Sequence, residues 1–156
     1  RILELGTFTA YATICLAKGL DKNGMIYTIE ENMELSPIIT KYLKKAKIES
    51  KTKLLIGDAL TLIPSLQEYW DIIYIDADKF NYLNYYKMLL PSLNNNGVML
   101  VDNVLWSGKI SKEITHSDKD TKAISEFNNY VQDDKGVRNL ILPLRDGMMM
   151  IQKTHQ

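Results

Sequence analysis

Cysteine is almost absent. Cys15 is the only one in 156 residues, so the chain cannot form an internal disulfide. It sits in an apolar segment, which predicts a core position rather than a nucleophile. A reducing, cytoplasmic compartment fits that usage. An excess of charge of one sign is also missing: nineteen Lys and Arg balance nineteen Asp and Glu. The one basic cluster, KYLKKAK at 41–47, reads as the wet face of a helix. The charge pattern therefore offers no footprint for a nucleic-acid partner. No apolar run has the length of a membrane span, and no signal peptide, repeat or low-complexity tract is visible. What remains is one domain of ordinary globular composition, 46% hydrophobic and 24% charged, with enough residues to bury a core. The chain enters a strand-like RILEL at once, and natural domains seldom begin inside a core strand. An N-terminal segment is therefore expected to precede it.

Apolar runs at 2–5, 25–29, 53–56, 71–75 and 98–101 alternate with helix-period segments at 10–19, 34–47, 59–67 and 80–90. Strands alternating with helices imply βαβ units and a parallel sheet. The runs are continuously apolar, as strands covered on both faces should be. Gly24 and the run Asn94-Asn95-Asn96-Gly97 read as helix stops, and Asp58 as the cap of the helix starting at Ala59. A fifth helix is predicted over 119–133, started by Ser117 or Asp118. Two further strands, 137–144 and 148–151, flank Arg145-Asp146-Gly147, a hairpin signal. The prediction is an α/β fold of seven strands, five parallel and then an antiparallel addition. Met148, Met149 and Met150 read as core strand. The loop at 106–119 is the one long polar connection, a length often associated with function.

Ligands of open parallel sheets bind beyond the carboxyl ends of the strands. Nearly every such end here carries an acid: Glu4 in the first, Glu30-Glu31 after the second, Asp58 after the third, Asp76 and Asp78 after the fourth, Asp102 after the fifth. Any one of them could be a cap or a solvated loop residue. The set on one rim points to a site. The first turn reads ELGTFTAY. Gly6 allows a close approach, but Phe8 and Ala10 stand where a dinucleotide loop wants glycine. That predicts a nucleoside ligand without a pyrophosphate, with Glu30 placed for ribose hydroxyls. Asp76, Asp102 and Asn103 would bring two carboxylates and an amide oxygen together, a donor set for Mg²⁺, Mn²⁺ or Ca²⁺. Zinc would want histidine or cysteine, and His116 and His155 are placed for neither. The competing reading is that Asp102 and Asn103 only form a turn. Lys79 lies one turn from Asp76. A cation beside it would disfavour the ammonium, and a neutral lysine is a usable general base.

Taken in order, ILELGTFTAYA, YTIEEN, LLIGDAL, YIDADKFNYLNYY, VMLVDNVLWSGK and LPLRDGMMMIQK resemble the metal-dependent class I O-methyltransferases of the caffeoyl-CoA and catechol type. The likeness runs from residue 2 to about 153 and is most specific in DADK followed by DNVLWSGK. It implies a single methyltransferase domain over 1–156: a Rossmann-like, mostly parallel seven-stranded sheet with an antiparallel C-terminal hairpin and helices on both faces. It also implies S-adenosylmethionine and a divalent cation, Mg²⁺ first, as cofactors, and methylation of one hydroxyl of a vicinal aromatic diol. By position, Glu4, Gly6 and Thr7 would line the methionine end of the cofactor. Glu30 would hold the ribose, Ala59 would lie near the adenine, and Asp78 would bind polar groups. Asp76, Asp102 and Asn103 match the metal ligands and Lys79, beside Asp76, the catalytic base. Trp106 and Ser107 match substrate contacts.

Two departures stand out. Ala10-Tyr11-Ala12 replaces the family's usual Gly-Tyr-Ser, which removes a hydroxyl from the cofactor's amino-acid end. The N-terminal helices that close the substrate pocket in family members, and often help form a homodimer, have no counterpart in this sequence. Two competing readings follow. A non-catalytic binding or oligomerisation module is favoured by those departures and opposed by the retained trio and Lys79. An NAD-dependent dehydrogenase is opposed by the missing glycines.

Overall fold

The computed structural model describes residues 1–111 and 118–154. His116, His155 and Ser117 lie outside the described residues. Seven strands form one sheet in the order β3-β2-β1-β4-β5-β7-β6. The strands are β1 (Ile2–Leu5), β2 (Ile26–Glu30), β3 (Thr52–Ile56), β4 (Trp70–Ile75), β5 (Leu93–Asp102), β6 (Val137–Leu142) and β7 (Met148–Lys153). The first five run parallel, while β7 is antiparallel to both β5 and β6. The strand order reverses between β1 and β4. Connections leaving those two strands diverge, and the crevice between them is where open α/β sheets hold ligands.

The helices are α1 (Tyr11–Ala17), α2 (Ser36–Lys45), α3 (Ala59–Leu62), α4 (Tyr82–Leu89) and α5 (Lys119–Asp133). Asp58 caps α3 by accepting from the Leu60 and Thr61 N–H groups, and Asp118 caps α5 through Thr121. The helix at 59–67 is shorter than the periodicity predicts. Pro64 opens a 3-10 turn over Ile63–Ser65 that ends it. The Asn94–Gly97 run is also corrected. It is not a helix stop but part of β5, whose register against β4 shifts between Trp70 and Ile72. A bulge of this kind accommodates residues that disfavour a regular ladder.

One face of the sheet is covered over its central strands. Leu3, Leu5, Ile73, Ile75, Met99, Val101, Met149 and Ile151 pack with Tyr82, Tyr85 and Tyr86 of α4 and with Phe127 and Val131 of α5. Tyr82 and Tyr86 both meet the Phe127 ring edge-on. On the opposite face, Ala10, Ile39 and Leu43 form a second, small cluster under α2. Ile2, Glu4, Ile26 and Thr28 of β1 and β2 are buried there. Further along that face, Ile72, Tyr74, Val98, Leu100, Met148 and Met150 are only half-buried. Continuous apolarity thus predicted two-sided cover for β4 and β5, and the described chain covers them completely on one side only.

Candidate active site

Two cavities open at the carboxyl ends of the strands and meet at Gly6 and Asp76. The first, about 350 Å³, is lined by Glu30, Glu31, Gly57, Asp58, Ala59 and Asp78, among others. The second, about 480 Å³, lies on the half-covered face, between α1 and the side chains of Tyr74, Leu100, Asp102 and Met148. Cys15 also lines it and is exposed, so the expected core position is corrected. The α1 segment is apolar in sequence, yet only Thr13 in it is fully buried.

Gly6 joins the two cavities for a steric reason. Its φ is +92, and a Cβ there would lie 2.2 Å from the Asp76 carbonyl oxygen. The glycine therefore serves the close approach of β1's turn to β4, as well as keeping the crevice open. The turn is held further by Gly6 and Thr7 N–H groups donating to the Ile29 carbonyl at 3.0 and 3.2 Å.

Glu30 sits in the first cavity with both oxygens engaged. Phe8 N–H donates to Oε2 at 2.8 Å and Asn32 N–H to Oε1 at 2.9 Å. Each oxygen retains a lone pair for a ligand hydroxyl. Asp78 is oriented by Tyr85, whose hydroxyl donates at 2.5 Å, and by the Asn81 amide at 2.7 Å. Ala59 begins α3 at the cavity wall, and the Asp58 cap uses the N–H groups of Leu60 and Thr61 rather than that of Ala59.

Glu4 lies deeper than the sequence suggests. It is fully buried and withdrawn from both cavities. Thr13 and Thr28 hydroxyls donate to its Oε2 at 2.5 and 2.6 Å, and Thr7 reaches Thr28 at 2.5 Å. Oε1 has no partner among the described residues. Burial pushes this carboxyl up to about 7; the threonine hydroxyls oppose the shift, and the Asp76 and Glu30 charges add to it. Glu4 thus ties β1 to α1 and β2 beneath the turn that Gly6 and Thr7 form.

Asp76, Asp102 and Asn103 lie at the ends of the paired strands β4 and β5. Asp102 Oδ1 accepts from the Asn103 N–H at 2.7 Å, and Asn103 adopts the left-handed conformation with φ 60. Asparagine tolerates that region better than most residues. All three side chains offer oxygen, a donor set that fits a hard divalent cation. Lys79 Nζ donates to Asp76 Oδ1 at 2.8 Å and to the Tyr82 hydroxyl at 2.6 Å. Tyr82 in turn donates to the Asp102 carbonyl at 2.9 Å. Lys79 is thereby fixed between β4 and β5, with only 12% of its side chain exposed.

Trp106 and Ser107 follow on a tight turn, with φ 48 and 53. The Trp106 ring lies 6.0 Å from Lys79 Nζ, so this substrate candidate stands beside the candidate base. Ser107 N–H donates to Asp146 Oδ1, and Leu105 N–H to the Asp146 carbonyl at 2.9 Å. Asp146, read from sequence as a simple turn residue, therefore anchors the loop that carries Trp106. Tyr74 and Tyr82 were also missed as site residues. No local signal marks Tyr74 or Asp146, because each acts through a contact between separate segments; Tyr82 lies three residues from Lys79, a spacing that could have marked it.

The family pattern described as O-methyltransferase matches residues 1–154. A caffeoyl-CoA O-methyltransferase of Stellaria longipes is 27% identical over 165 residues, which cover 99% of this chain and 68% of that protein. A catechol O-methyltransferase of Niastella koreensis is 34% identical over 117 residues, covering 72% of this chain and 53% of that one. Among solved structures, an O-methyltransferase from Streptomyces achromogenes in complex with SAM superposes with a TM-score of 0.93 at 26% identity, covering 99% of this chain and 73% of that chain. One from Bacillus cereus in complex with SAH gives 0.91 at 26% identity, covering 98% and 73%. The family pattern takes in both cavities and every residue of the rim. The chain belongs to the O-methyltransferase family.

Proposed function

We propose that this protein transfers a methyl group from S-adenosylmethionine to one hydroxyl of a vicinal aromatic diol. The observation that carries the reading is the junction of the two cavities at Gly6 and Asp76. One cavity has the acids and open backbone suited to a nucleoside. The other has an apolar wall suited to an aromatic ring, with two carboxylates at its rim. Relatives named for caffeoyl-CoA and catechol support that substrate class.

Glu30 would accept from ribose hydroxyls, Asp78 would hold polar groups of the cofactor, and Ala59 would pack near its base. Asp76, Asp102 and Asn103 would hold a divalent cation, for which the donor chemistry suits Mg²⁺, Mn²⁺ or Ca²⁺ and the family likeness puts Mg²⁺ first. When bound, the cation supplies positive charge that draws both diol oxygens to one place and eases loss of a proton. Lys79 receives that proton, with its position set by Asp76 and Tyr82. Trp106 and Ser107 border the ring. Much of the rate would come from holding oxygen and methyl carbon at near-attack distance. Where the chain's N-terminal side carries helices like those of the family, a homodimer is the expected assembly.

Calorimetric titration with S-adenosylhomocysteine, with NAD as control, tests the cofactor assignment. The expected result is binding of the first and none of the second. Binding of NAD alone would return the dehydrogenase reading. Binding of neither would leave the non-catalytic reading, with Ala12→Ser as the substitution to test.

A further inference from the structure

Tyr74 brings a hydroxyl to the sheet wall of the second cavity. It projects from β4 on the half-covered face, beside Leu100 of β5, its register partner, and near Met148 of β7. Its hydroxyl donates to Asp102 Oδ2 at 3.0 Å, two residues further along β5 than Leu100. The other oxygen of that carboxylate, Oδ1, accepts from the Asn103 N–H at 2.7 Å. Asp102 is therefore held at both oxygens, once by its neighbour in the chain and once across the sheet.

We propose that Tyr74 is a positioning residue for the cation site: its hydroxyl fixes the Asp102 carboxylate so that the free lone pairs are presented together with Asp76 and Asn103. The inference rests on the cation reading given above. A carboxylate with one hydrogen bond rotates about its Cβ–Cγ bond. A carboxylate with two, from opposite sides, has its plane set before the ion arrives. Supporting partners of metal ligands act in this way, and their loss commonly lowers affinity about 10–100-fold. Tyr74 does not touch the reacting atoms in this scheme and acts through Asp102.

The test is titration of the protein with Mn²⁺ alone, followed by calorimetry or by the spin-resonance signal of the free ion. Tyr74→Phe keeps the ring that packs against Leu100 and removes only the hydroxyl. The expected result is Mn²⁺ affinity weaker by about tenfold or more, with S-adenosylhomocysteine affinity and melting temperature unchanged. A general loosening of the fold would move all three. Wild-type Mn²⁺ affinity in Tyr74→Phe, or tighter binding, would overturn the positioning role while leaving the cation reading intact. Absence of Mn²⁺ binding in the wild type would overturn the cation reading, and this inference with it.

Discussion

Replacing Lys79 with alanine is expected to lower the rate of methyl transfer by about 10²–10⁴-fold, the range lost when a positioned general base is removed. S-adenosylhomocysteine affinity should stay close to that of the wild type. The separation follows from geometry. Lys79 Nζ contacts Asp76 and the Tyr82 hydroxyl, at the meeting point of β4 and β5. The cavity that would hold the nucleoside is lined by Glu30, Asp58, Ala59 and Asp78, and Lys79 is not among its walls. Asp76 is left without its ammonium partner, but its side chain is 40% exposed and remains solvated. Lys79→Arg divides the roles further. Arginine retains the ion pair but cannot give up its proton at ordinary pH, so it should be nearly as slow as alanine. Equal losses of rate and cofactor affinity in Lys79→Ala would count against the assignment.

The second large effect concerns stability and pH. Glu4 has an ordinary value of 4.5, raised in the folded protein to about 7, chiefly by burial. Between those values the folded protein binds a proton that the unfolded chain releases. The contribution to stability is therefore fully present below about 4.5 and is lost as pH rises through about 7. A shift of this size corresponds to about 3 kcal/mol. Glu4→Gln removes the ionisation but keeps an oxygen for the Thr13 and Thr28 hydroxyls. Relative to wild type, the variant should gain about 3 kcal/mol in stability between pH 4 and pH 8. Urea denaturation of both proteins at the two pH values measures this, because the difference between them cancels every other titrating group. Parallel curves would show that Glu4 does not titrate in that window.

The fold was legible because βαβ patterning is local. Each apolar run and each helix period sits within one stretch of chain, and the Asp58 and Asp118 caps are local signals too. The errors have local causes as well. Asn94–Gly97 reads as a stop because asparagine and glycine disfavour strands, yet pairing with β4 overrides that preference through a bulge. Cys15 reads as core because its neighbours are apolar, but the face that α1 presents depends on how much of the sheet lies beneath it. The rim acids could be found from sequence, since a parallel sheet brings strand ends together. Their support could not. The Tyr74 contact to Asp102 crosses 28 residues of chain, and the Asp146 contact to Ser107 crosses 39. The burial of Glu4 depends on Thr13 and Thr28 arriving from α1 and β2. A sequence shows an acid at a strand end without showing which side of the turn it will occupy.

Cation-dependent methyl transfer at the rim of β4 and β5 would make the ion necessary for turnover. Its most direct test follows a labelled methyl group from S-adenosylmethionine to catechol, with Mg²⁺ and then with a chelator. The expected result is a monomethylated product with Mg²⁺, loss of that product when the ion is removed, and recovery when the ion is restored. Methylation that proceeds equally well in chelator would contradict it.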